Sequence, residues 1–262
     1  MSVVTLDGEI IHYEVLGRGR PIIFLHGWVG SWRYWVPTMQ AASINFRAYA
    51  MDLWGFGDTA KRPEMYRFTD QVNLLESFIE SMGIGRIALV GHGLGAVVAL
   101  SFAASHSGSV DRLMLTGLPL DFTNINPRLR TAPLQELIDW LLAKLPPTDS
   151  ARTEAPKTDL QAIQASFEGI QAVNTLDITQ HLATPILLVH GQNDPVIPVP
   201  SQEILGELPE QSHYIIFDQS GHFPMLEETN KYNRLLGDFL ALSQGESPRH
   251  LQLKDEWKRR VR

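Results

Sequence analysis

The hydrophobic positions of the chain follow two rhythms that alternate along its length. Val3–Leu6 and Glu9–Leu16 alternate apolar and polar residues on either side of Asp7-Gly8, the pattern of a half-buried hairpin. Pro21–Leu25 is apolar without interruption, as expected of a strand covered on both faces. A helix is predicted near Ser31–Ala42 and a strand at Phe46–Met51. Phe68, Val72, Leu75, Phe78, Ile79 and Met82 recur at helical spacing, and Gly83 suits the helix end. Strands at Ile87–Val90, Arg112–Thr116, Pro185–His190 and Tyr214–Phe217 follow, interleaved with helices that include Gly95–Ser105 and Pro224–Leu242. Strands separated by helices predict the α/β class: a mostly parallel sheet with helices on both faces.

Residues 119–184 interrupt this rhythm. They hold amphipathic stretches at Leu134–Leu145 and Leu160–Val173, separated by a mobile linker rich in turn residues at Pro146–Pro156. The predicted organisation is a core of residues 1–118 and 185–245, a short helical cap over the site at 119–184, and a basic tail at 246–262. Charge sharpens that division. Residues 249–262 carry six basic and two acidic side chains, +4 against an overall −7, so −11 falls on residues 1–248. In the tail, Leu253, Trp257 and Val261 would share one face of a short helix, and its charge against an acidic body offers a contact between copies of the chain. With 22 Lys+Arg against 29 Asp+Glu, nucleic acid is not the expected partner. The chain has no cysteine, hence no disulfide and no thiol nucleophile, and its nine histidines are not spaced as metal ligands. No metal or cofactor is expected. Without a basic-then-apolar leader or an apolar run of about 18–20 residues, the sequence reads as cytoplasmic, with no membrane span.

The chemistry concentrates around one glycine. Arg86–Ala96 reads as a buried strand, a tight turn and a helix start, the layout of a G-x-S-x-G nucleophile elbow, but Gly93 stands at its apex. Three other segments accompany it: His26-Gly27-Trp28-Val29-Gly30-Ser31 after the third strand, Gly191–Pro198 after a late strand, and Ser220-Gly221-His222-Phe223-Pro224 before the last helix. Together with Asp52-Leu53-Trp54-Gly55-Phe56-Gly57-Asp58-Thr59, they make the chain from about Val4 to Leu242 resemble α/β-hydrolase-fold proteins of the cofactor-free esterase, haloperoxidase and ring-cleavage-product hydrolase type. The resemblance implies Asp194 as the acid, His222 as the base, and the Trp28 and Leu94 backbone N–H groups as oxyanion donors. It implies a small, largely apolar ester or carbon–carbon-bond substrate. Asp121 is the alternative acid. His26 and His92 are assigned to the pocket wall, His26 packing and orienting its loop, and Trp28 joins that wall from a cluster with Trp32, Tyr34 and Trp35.

The residue types suit these roles. A hydroxyl or water is a poor nucleophile until an imidazole takes its proton, and the imidazole needs a carboxylate to fix its tautomer. Glycine enters the strained elbow conformation almost freely, whereas a residue with a side chain pays on the order of 1–3 kcal/mol. Three readings of Gly93 stand side by side. The chain is a non-catalytic binding protein, or His222 and Asp194 act as a general base without a serine, or a working serine has been exchanged.

Overall fold

The computed structural model describes residues 2–142, 144, 146–243 and 245–253. Eight strands form one sheet: β1 (Ser2–Leu6), β2 (Glu9–Leu16), β3 (Arg20–Leu25), β4 (Phe46–Met51), β5 (Ile87–His92), β6 (Val110–Thr116), β7 (Ile186–Gly191) and β8 (Ser212–Phe217). Their order is β1-β2-β4-β3-β5-β6-β7-β8. The β1–β2 and β2–β4 pairs are antiparallel and the other five are parallel. The uninterrupted apolar runs lie in the centre, where every residue of β5 and β7 is buried. The alternating runs form the hairpin β1–β2 at one edge, where β1 alternates between exposed and half-buried positions.

The chain leaves β3 toward β4 on one side and β5 toward β6 on the other, which opens a crevice above the carboxyl ends of β3 and β5. Leu25 pairs with Gly91 at that edge, so the loop after β3 and the turn after β5 are neighbours. The helix Leu94–Ser105 that follows the turn is apolar on all sides and buried from Leu94 to Leu100, sandwiched rather than half-exposed.

Residues 117–185 contain helices and turns but no strand among the described residues. The turn-rich stretch read as a mobile linker is helical: 3-10 turns at Pro146–Thr148 and Ala155–Lys157 flank a helix at Asp149–Glu154. Ala151, Glu154 and Ala155 are buried there, and the Arg152 guanidinium donates to the Ile138 and Leu142 carbonyls, so tertiary contact overrides the turn composition. The expected helix Pro224–Leu242 is two, Pro224–Glu227 and Thr229–Ala241, broken at Glu228. Of the basic tail, the described part turns at Pro248–His250, with Arg249 Nη2 donating to the Leu208 carbonyl at 2.7 Å and Leu251 buried. The expected helix through Trp257 and Val261 lies outside the described residues.

Candidate active site

The turn after β5 is shaped by three glycines for two different reasons. Gly91 and Gly95 have no room for a side chain: a Cβ on Gly91 would strike the backbone of Gly95 and Ala96, and one on Gly95 the carbonyls of Leu25 and His26. They allow strand, helix and the neighbouring loop to close up, and the Gly95 N–H donates to the His26 carbonyl at 3.1 Å. Gly93 differs. It sits at φ 50° and ψ −112°, in the left-handed half of backbone space that favours glycine. A Cβ there would lie 3.1 and 3.2 Å from Cε3 and Cζ3 of Trp28, tight by a few tenths of an ångström rather than blocked.

Asp194 and His222 meet. His222 Nδ1 donates to Asp194, 2.9 Å from Oδ2 and 3.0 Å from Oδ1, and both side chains are almost fully buried. Asp194 Oδ1 also accepts from the Val196 and Ile197 N–H groups at 2.8 and 3.2 Å. Burial pushes the Asp194 carboxyl upward, but His222 and those two N–H donors outweigh it and hold the group below the usual carboxylate range. Asp194 is therefore an anion oriented on the imidazole. Asp121 is elsewhere engaged: exposed, it accepts from the Thr123 N–H and hydroxyl and from Asn124 Nδ2 as the cap of a 3-10 turn.

The residues assigned to the pocket wall sit deeper than expected. His26 is fully buried: its Nδ1 donates to the Gly27 carbonyl at 2.8 Å, and its Nε2 accepts from the Leu53 N–H at 3.0 Å. Both nitrogens are engaged in holding loops. His92 is buried against His222, their ring centroids 4.6 Å apart, with Phe223 packed on both. Burial, and then the His222 imidazole, hold His92 well below the usual histidine range, so it is neutral. Its Nε2 has no hydrogen-bond partner among the described residues.

Several contacts that support the site were not assigned from the sequence. The Tyr34 hydroxyl accepts from the Gly27 N–H at 2.6 Å and lies 2.9 Å from His92 Nδ1, tying the loop after β3 to the turn after β5. Asp52 accepts from the Trp32 and Asp58 N–H groups and from His12 Nδ1, and Gly57 is required because a Cβ there would overlap this carboxylate. Gln71 bridges both backbone groups of Trp54. Trp28 joins the helical segment to the site: its indole N–H donates to Ser166 Oγ at 3.0 Å, and its ring stacks on Phe167 at 5.2 Å and 5°. The aromatic cluster hinted at Tyr34, but no local pattern points to Ser166, which lies 138 residues from its partner.

The backbone N–H groups of Trp28 and Leu94 have no acceptor among the described residues. Two free donors, a fixed imidazole–carboxylate pair and a tight turn between a buried strand and a buried helix define an α/β-hydrolase type of site. The chain matches the model of the alpha/beta hydrolase family over residues 22–234 and belongs to that family. It is 25% identical over 253 residues to the pimeloyl-[acyl-carrier protein] methyl ester esterase of Vibrio cholerae, covering 87% of this chain and 97% of that protein. It is 29% identical over 265 residues to the 2-hydroxy-6-oxo-2,4-heptadienoate hydrolase of Pseudomonas putida, covering 91% and 95%. Among solved structures, a serine-to-glycine mutant of the N-acyl homoserine lactonase AidH, complexed with N-hexanoyl homoserine lactone, shares the fold with a TM-score of 0.79 at 19% identity, covering 91% and 96%. No helix among the described residues is long and apolar enough to cross a membrane.

Proposed function

We propose that this protein is an α/β-hydrolase in which Gly93 stands where the nucleophilic serine would, leaving His222 and Asp194 to act as a general base on water. His222 Nε2 takes a proton from a water beside the Gly93 apex, and the hydroxide adds to the substrate carbonyl. The Trp28 and Leu94 N–H groups receive the oxyanion, and His222 returns the proton to the departing group. The products are an acid and an alcohol, or an acid and the carbon fragment. The observation that carries this reading is the buried His222–Asp194 hydrogen bond of 2.9 Å, which fixes the tautomer that leaves Nε2 available. The methyl ester esterase and the dienoate hydrolase named above support cleavage at an ester or a carbon–carbon bond, and a small, largely apolar acyl substrate is the class this reading assigns. The helices of residues 119–184 serve in this reading as the cap. No cofactor enters the reaction.

The route is slow by necessity. Loss of the nucleophile in a triad hydrolase costs a factor of about 10⁶ in turnover, roughly 8 kcal/mol, with ~10³–10⁴ over water retained by the remaining groups. Turnover of short- and medium-chain aryl esters should therefore be weak in the protein, lost in His222→Ala, and raised by on the order of 10³ or more in Gly93→Ser. Equal rates with and without His222 would overturn the reading.

One observation favours a binding protein without catalysis instead: the Trp28 ring lies across the apex, clamped by Ser166 and Phe167, with no exposed surface of its own. A protein that binds aryl esters saturably yet shows no His222-dependent turnover would fit that alternative.

A further inference from the structure

At the opposite end of the sheet from His222, the amino ends of β3, β5 and β6 border an open cavity of about 420 Å³. Three guanidinium groups line it, those of Arg20, Arg86 and Arg112. Arg112 is structural: buried, it donates to Asp111 and to the Phe239 and Leu242 carbonyls at the end of the last helix. Asp111 is shared: it accepts from Arg112 at 2.7 Å and pairs more loosely with Arg86 at 3.6 Å. Arg20 lies over the Phe46 ring at 5.2 Å and has no carboxylate partner among the described residues. One carboxylate thus faces three cations in a concave space, on a chain whose first 248 residues carry −11. Local positive charge held against the sign of the whole body calls for an anion.

The same wall continues into an apolar limb. Arg20, Phe46 and Leu240 also line a second cavity of about 280 Å³, bounded further on by Ala41, Leu236 and Gly237. Asn233 lines it too, and its Oδ1 is buried without a donor among the described residues. A ligand that satisfies both limbs has an anionic head and a short apolar body.

We propose that these two adjoining cavities, which share Arg20, Phe46 and Leu240, bind a small anionic amphiphile, its phosphate or carboxylate head between Arg20 and Arg86 and its apolar part against Leu236 and Leu240. Guanidinium groups suit both heads, because each N–H pair can meet two oxygens of a phosphate or carboxylate. The site does not depend on the chemistry proposed for His222. Nothing in it requires the substrate of that centre.

Calorimetric titration with hexyl phosphate, hexanoate and inorganic phosphate, at constant ionic strength, tests the proposal. Hexyl phosphate or hexanoate should bind saturably, and the tighter of the two identifies the head. Inorganic phosphate should bind about tenfold or more weakly than hexyl phosphate, because it leaves the apolar limb unfilled. Arg20→Gln/Arg86→Gln, two exposed positions, should weaken the amphiphile by about tenfold or more, while His222→Ala should leave it unchanged. Undiminished binding by the double variant, loss of binding with His222→Ala, equal affinity for inorganic and hexyl phosphate, or no saturable binding of either amphiphile would each overturn it.

Discussion

Gly91, Gly93 and Gly95 are chemically identical and physically unlike. A methyl group at Gly95 would be driven into two backbone carbonyls that cannot move without separating the loop after β3 from the helix. Gly95→Ala should therefore cost about 3 kcal/mol or more in urea unfolding. At Gly93 the obstacles are a positive φ and the edge of a tryptophan ring. Gly93→Ala and Gly93→Ser should each cost on the order of 1–3 kcal/mol and still fold. If the three positions proved equally sensitive, the distinction between a packing glycine and a conformational glycine would fail. The sequence marks all three as one motif. Only the packing around them separates positions that exclude a side chain from one that could hold one at the cost of strain.

At the level of elements, the site is assembled by two bridges that cross long stretches of chain. Tyr34 joins the loop after β3 to the turn after β5, and Ser166 with Phe167 joins the helical segment to Trp28. Ser166→Ala would leave a buried indole N–H without a partner, at a cost of about 1–3 kcal/mol. Its side-chain indole resonance should shift in a tryptophan-labelled spectrum, whereas an unchanged resonance would show that the bond is not made. The central strands, the helix Phe68–Ser81 and the order of the loops were legible because long apolar periods dominate them. The helix Asp149–Glu154 was not, because Pro and Ser at its borders signal turns while its helicity comes from packing and from Arg152. The break at Glu228 was equally hidden, since no Gly or Pro marks it: the polar run Glu227–Lys231 suits a solvent-facing helix turn as well as a break.

Over the whole molecule, proton linkage predicts how stability responds to acid. Burial holds His26, His92, His190 and His213 below the usual histidine range. Each is neutral in the folded chain and takes up a proton below about pH 6.5 once unfolded, so each draws stability down as the pH falls from about 7 to 5. His12 works in the other direction. Burial pushes it down, but Asp52 outweighs this and raises it, so its contribution is full below about pH 6.5 and fades as the pH rises through its folded value. Asp52 and Asp194, both held low, lose their contribution only when the pH falls below the ordinary carboxylate range. With four depressed histidines against one raised, the melting temperature should drop between pH 7 and pH 5, and the slope should flatten in His92→Gln. A melting temperature that climbs over that interval would contradict the account. The α/β class with its mostly parallel sheet and the family were readable from the apolar rhythm and the motifs, whereas the depth of His26 and His92 was not, because burial of a histidine depends on neighbours brought in from distant loops. The most direct test of the functional account is intact-mass analysis after fluorophosphonate treatment of Gly93→Ser and of Gly93→Ser/His222→Ala. A single adduct on the first and none on the second is the predicted result; an unlabelled Gly93→Ser, or labelling that survives loss of His222, would contradict a general base aimed at residue 93.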